Sequence, residues 1–192
     1  MTRTLVLAFT MLMLIEAVSG QTVKVPRGRS ILVDGKVSAG EWADAAKIEI
    51  GKGAELLAKQ QDDYVLLAVI LPNHSSGFVD LFIAPDSSEI FDLHASAKLG
   101  ERATSTPGKW PDWKWWNNRD WTANVSRVES FDEKKFLPEN IREFQIKRTR
   151  FPGDEWRVRV VLSIDHGQGY KETHLPEATL GQRSEQWLRL RL

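Results

Sequence analysis

Five of the chain's eight tryptophans fall in one stretch, Lys109-Trp-Pro-Asp-Trp-Lys-Trp-Trp-Asn-Asn-Arg-Asp-Trp121. Indole faces stack on flat, weakly polar ligands, while neighbouring carboxylates, amides and a guanidinium supply directional hydrogen bonds. That pairing suits a sugar ring, whose C–H face is apolar and whose rim carries hydroxyls. Trp110, Trp113, Trp115 and Trp116 are the candidate stacking residues, with Asp112, Asn117, Asn118 and Arg119 as candidate hydroxyl partners. The same cluster could instead build a satellite core. Both readings stand at this level.

Other chemistry is sparse. His74, His94, His166 and His174 show no paired spacing, and there is no cysteine, so no zinc pattern exists. Asp165-His166-Gly167 lies beside Ser163, but no Gly-x-Ser-x-Gly elbow accompanies it. No nucleophile–base pair or phosphate loop is present, which argues against an enzyme. Lys147, Arg148, Arg150, Arg142, Arg157 and Arg159 would give a basic sheet face, normally the solvated side paired with acids, with an anionic-glycan site as the alternative. Twenty-six basic residues balance 26 acidic ones without a long basic block, so nucleic acid is not an expected partner.

Residues 1–20 read as a signal peptide, with a basic start, an apolar run over 5–15, and Val18 and Gly20 ahead of the cleavage point. The run is too short to span a bilayer and nothing like it recurs, so no transmembrane segment is expected after processing. The expectation is a secreted or periplasmic protein, with residues 21–192 as a single domain.

The elements that must position the tryptophans read as strands. Residues 55–60 and 64–70 flank Gln61-Asp-Asp63 as a hairpin, and 78–83 and 89–97 flank Pro85-Asp-Ser-Ser88. In the last of these, Phe91, Leu93, Ala95 and Ala97 share one face, and Asp92, His94 and Ser96 the other. Residues 121–126, 156–162 and 188–192 alternate likewise. Trp42, Trp121 and Trp156 are assigned to the core, whereas Trp187 is out of phase with its strand. Helix signals are few: a capping box, Ser38 with Glu41, and a short stretch over 138–143. The prediction is an all-β, jelly-roll-like sandwich of two antiparallel sheets with little helix.

Several of these pieces together resemble family 9 carbohydrate-binding modules and their DOMON-like relatives. The opening Ile31-Leu-Val-Asp-Gly-Lys-Val-Ser-Ala-Gly-Glu-Trp-Ala-Asp-Ala45 is similar to theirs. So are Asp62-Asp-Tyr64 leading into an aliphatic strand, Phe78-Val-Asp-Leu-Phe-Ile83, the late strand over 155–164 and the closing Gln186-Trp-Leu-Arg-Leu-Arg-Leu192. The resemblance runs over most of residues 28–192 and implies a non-catalytic β-sandwich that binds poly- or oligosaccharide. Members of that family often carry a structural calcium ion, so Asp34, Asp62, Asp63 and Asp86 are candidate contributors to one, against the commoner reading of solvated turn carboxylates. Otherwise no cofactor is expected. The family's gripping tryptophans, before the middle strand and before the last one, have no counterparts here, so no binding residue transfers by position.

Two further readings follow. The tryptophan loop would be a packing lid, or a contact for a protein partner of the cell envelope, in a structural β-sandwich. A haem-binding DOMON-like role is weaker, because Met1, Met11 and Met13 are the only methionines and all precede residue 21.

Overall fold

The computed structural model describes residues 20–71, 77–85, 88–106, 108–115, 120–125, 128–130, 135–136, 141–165, 169–176 and 184–192. All of the predicted signal segment but Gly20 therefore lies outside the described residues, as do Trp116, Asn117, Asn118, Arg119, Asp86, His74 and His166. From Gly20 onward the chain joins the sheet: its N–H donates to Gln186 O, and Gln21 O accepts from Arg189 N.

Two sheets face each other. The first has eight strands in the order β1 (Thr22–Lys24), β15 (Leu188–Arg191), β13 (Glu155–Asp165), β5 (Gly77–Ala84), β6 (Ile90–Ala95), β7 (Leu99–Thr104) and β8 (Lys114–Trp115), with β14 (Tyr170–Leu175) also on β13. The second runs β2 (Ala46–Gly51), β3 (Ala54–Gln61), β4 (Tyr64–Ile70), β12 (Ile141–Lys147) and β9 (Trp121–Ala123). A small pair, β10 (Val128–Ser130) and β11 (Lys135–Phe136), stands apart. Among the described residues the named strands pair antiparallel, except β1, which runs parallel to β15. The predicted all-β sandwich is the observed fold, and both predicted hairpins form.

Alternation decides the core. Val79, Leu81, Ile83, Leu93, Val158 and Val160 from one sheet meet Leu56, Val65, Leu67, Phe144 and Ile146 from the other. Trp156 and Trp121 belong to this core, as expected, and Trp156 packs edge-on against Phe151. Burying each large apolar side chain stabilises by about 1.5–3 kcal/mol. Arg142, expected on a solvated basic face, instead points inward. It donates from Nη1 to Asn124 O at 2.9 Å and from Nη2 to Gly77 O, linking β12 to β5 of the opposite sheet. Asn124 is likewise committed: its Oδ1 accepts from Glu143 N at 2.6 Å.

The outer face of the five-stranded sheet is covered by residues 28–45, and its anchor is Trp42 on Leu57, Leu66, Ala68 and Ile141. Glu143 organises this strap, accepting from Trp42 Nε1 at 3.1 Å, Asp34 N at 3.0 Å and Gly35 N at 2.9 Å. The Asp34-Gly35 turn needs glycine, since its φ is +77° and a Cβ would lie 2.6 Å from Asn124 Nδ2. Burial pushes the Glu143 carboxyl above its usual range, and these three donors pull the other way. Lys59 Nζ reaches Asp44 Oδ1 at 2.8 Å, and that bond holds Asp44 below the usual carboxylate range.

Neither predicted helix forms. Residues 39–44 are turns, although half of the capping box is made, with Ser38 N donating to Glu41 Oε2. Gly40 at φ +79° ends any helical run there. Of the second stretch, 141–143 are the start of β12, paired to β4 on one edge, and 138–140 lie outside the described residues.

Candidate functional site

The eight-stranded sheet carries on its outer face an ordered set of polar and aromatic side chains. Strand register sets it up: Asp80 opposes His94, Phe82 opposes Asp92, and on the next strand Asp92 opposes Arg102 while His94 opposes Gly100. On the other side of β5, Phe82 opposes Arg159 and Phe78 opposes Ser163. Because side chains alternate, all of these stand opposite to the core residues Val79, Leu81 and Leu93.

The charges on this face are paired. Asp80 Oδ1 lies 2.5 Å from His94 Nδ1, and Arg102 donates from both Nε and Nη2 to Asp92 Oδ2 at 2.8 Å. Asp92 is fully buried, and burial is the main cause pushing its carboxyl up to about 7. The Asp80 charge adds to this, while Arg102 and His94 oppose it. Arg159 is buried as well, its guanidinium 4.3 Å from the Phe82 ring centre and 5.0 Å from that of Trp187. Burial lowers its pKa and the two aspartates raise it, so it is part of this network and not of a solvated basic face. Desolvation and Arg159 similarly depress His174. Trp187, whose phase left its place open, is fully buried on this face against Phe82. Asp92 Oδ1, Ser163 Oγ, His174 Nδ1 and Trp187 Nε1 find no hydrogen-bond partner among the described residues, although each is shielded from solvent.

The tryptophan loop crosses the edge of this face. Trp110 is half-buried, edge-on to Phe82 at 5.8 Å and 4.7 Å from the Arg102 guanidinium. Trp113 is half-buried, 4.0 Å from the same guanidinium and 5.3 Å from the His94 ring. Trp115, on β8 opposite Gly100, is 50 % exposed and lies 5.5 Å from Trp113 at an interplanar angle of 31°. Gly100 makes this arrangement possible: a Cβ there would sit 2.9 Å from Trp115 Cε3 and 3.1 Å from Trp113 Cε3.

Three of the four candidate stacking tryptophans are thus brought together, and they play unequal parts. Trp110 mainly packs, Trp113 is shared between packing and surface, and Trp115 offers a ring to solvent. Asp112 is exposed beside them, whereas Trp116, Asn117, Asn118 and Arg119 fall outside the described residues. The residues that hold the platform, namely Gly100, Arg102, Asp92, His94 and Asp80, were not singled out as a site by sequence. The alternation over 89–97 places Asp92 and His94 on one face, and that was the available signal. For calcium, Asp34 lies on the strap with its Oδ1 accepting from Lys36 N, and Asp62 and Asp63 sit at the β3–β4 turn. No group of three metal-ligand side chains converges among the described residues. Nor does any helix among them have the length and apolarity to cross a membrane.

Comparison with solved structures fits this architecture. A family 9 carbohydrate-binding module from Caldicellulosiruptor kristjanssonii, solved with cellotriose, superposes with a TM-score of 0.54 over 90% of this chain and 93% of its own, at 13% identity. The fold is that of a family 9 carbohydrate-binding module. A Bacteroides uniformis protein to which carbohydrate binding is ascribed matches with a TM-score of 0.56, over 90% of this chain and 99% of its own, at 11% identity. No protein-family model matches the sequence, and no curated protein does either.

Proposed function

We propose that this protein is an exported, non-catalytic carbohydrate-binding module whose site is the Trp113–Trp115 edge of the eight-stranded sheet. The observation that carries the reading is the seating of both indoles over Gly100, beside the paired Arg102–Asp92 and His94–Asp80 groups. An exposed indole takes the C–H face of a pyranose. Polar groups held in fixed positions at its margin take the hydroxyls without rearranging. The same fold in the Caldicellulosiruptor module, solved with cellotriose, supports the reading. In this reading Trp116 is a further stacking residue, and Asp112, Asn117, Asn118 and Arg119 bond sugar hydroxyls.

Small polar ligands displace well-bonded water, so the expected Kd is on the order of 10 µM to 1 mM, or roughly 4 to 7 kcal/mol. Titration of residues 21–192 with oligosaccharides, followed by tryptophan fluorescence, tests it. A saturable shift is expected. A panel of neutral glycans that leaves the spectrum and calorimetric heats unchanged would refute the proposal and favour the loop as a packing lid.

A further inference from the structure

The aromatic surface does not stop at the tryptophan loop. The Trp115 and His94 rings lie 5.7 Å apart, His94 and Phe78 5.0 Å, and Phe78 and Tyr170 5.2 Å. The series crosses the sheet from β8 through β7, β6, β5 and β13 to β14. These spacings put the two terminal ring centres at most about 16 Å apart, a span on the order of three sugar units. Both terminal rings are open to solvent, Trp115 at 50% and Tyr170 at 51%, while His94 and Phe78 between them are partly covered. This surface has an exposed ring at each end, with the half-buried His94 and Phe78 rings between them.

Between the two ends, Asp80, His94 and Arg102 each keep a small exposed part, whereas Asp92 is fully buried. The partly exposed groups are already fixed by their bonds to one another and to Asp92, so they can meet sugar hydroxyls along the path between the rings without rearranging.

We infer that the ligand is a stretch of several sugar units laid across the strands, and that Tyr170 is a binding residue at the end of the site remote from Trp115. This rests on the carbohydrate reading above and names its extent.

The test uses residues 21–192 and neutral cello-, xylo-, manno-, chito- and malto-oligosaccharide ladders, each from monosaccharide to hexasaccharide, measured by calorimetry. Affinity for the preferred ladder should rise with length. Tyr170→Ala should lower affinity for its longest members by about tenfold and leave the shortest that binds unchanged. Tyr170→Phe, which keeps the ring, should behave as the parent, and an unchanged melting curve should accompany both variants. Affinity independent of length would overturn the inference. So would a Tyr170→Ala variant equal to the parent on every ladder while Trp115→Ala loses binding, a result that leaves the carbohydrate reading standing. If no ladder binds, both readings fall together.

Discussion

The Arg102 guanidinium stands 4.0 Å from the centre of the Trp113 ring while two of its nitrogens bond Asp92. One side chain thereby ties the tryptophan loop to the centre of the sheet. A planar, permanently charged group is needed for that double task, because it must lie flat on an indole and also fork toward a carboxylate.

Arg102→Lys should therefore be a damaging change despite conserving charge. Lysine can reach Asp92 but cannot cover Trp113 and Trp110 with a flat face. The expected loss of sugar affinity is about 1–2 kcal/mol, with a change in near-ultraviolet circular dichroism as the indoles lose their fixed setting. An Arg102→Lys variant with parental affinity and spectrum would show that Arg102 does not hold the platform.

The Asp92 carboxyl gives a pH signature. Its folded pKa, about 7, lies above the ordinary value, so between about pH 4 and 7 the folded state binds the extra proton. Stability from this group therefore falls as pH rises across that window and is level above it. Asp92→Asn lacks the term. The melting temperature of the parent minus that of Asp92→Asn should decrease from about pH 4 to pH 7 and then flatten. Glu143, which shifts in the same direction, cancels in the difference. A difference that is flat or grows with pH would contradict the burial of an ionisable Asp92.

Gly100 bears on the platform alone. The three atoms nearest its Cβ position all belong to the Trp113 and Trp115 rings. Gly100→Val should displace both rings and reduce sugar binding at least fivefold. The β7–β6 ladder should persist, so far-ultraviolet circular dichroism should be unchanged. Retained affinity would place the binding surface elsewhere.

Strand phase made most of this fold legible, because a strand with one face in the core writes its burial into every second residue. Phe78-Val-Asp-Leu-Phe-Ile83 and the run over 156–162 are such strands. The site was harder to read for the same reason. Asp92, His94, Arg102 and Arg159 stand on the face that phase assigns to solvent, and single-strand phase cannot distinguish a wet face from one covered by a loop. Trp187 shows the ambiguity directly: it is out of phase with its strand and yet fully buried, against Phe82 and Arg159. Strand β7, Leu-Gly-Glu-Arg-Ala-Thr, has too few apolar residues to announce itself, and it supplies both Gly100 and Arg102. The local signals over 138–143 favour helix, and pairing of 141–143 with β4 overrides that preference.

Away from the site, Glu143 should matter for stability alone. Glu143→Ala leaves the buried Trp42 indole N–H and two backbone donors of the strap without their acceptor. The expected cost is about 2–4 kcal/mol by urea unfolding, with the affinity of the folded fraction unchanged. A loss of less than about 0.5 kcal/mol would mean that the strap is not fastened through this carboxylate.

The central claim is that Trp115 presents a sugar-stacking face, and calorimetric titration of the parent and Trp115→Ala with the best-binding neutral oligosaccharide tests it most directly. The account predicts that Trp115→Ala weakens binding by about 1–3 kcal/mol. Because half of the ring is already exposed, the melting temperature should move little. Undiminished affinity in Trp115→Ala, or a large fall in melting temperature with affinity intact, would contradict it.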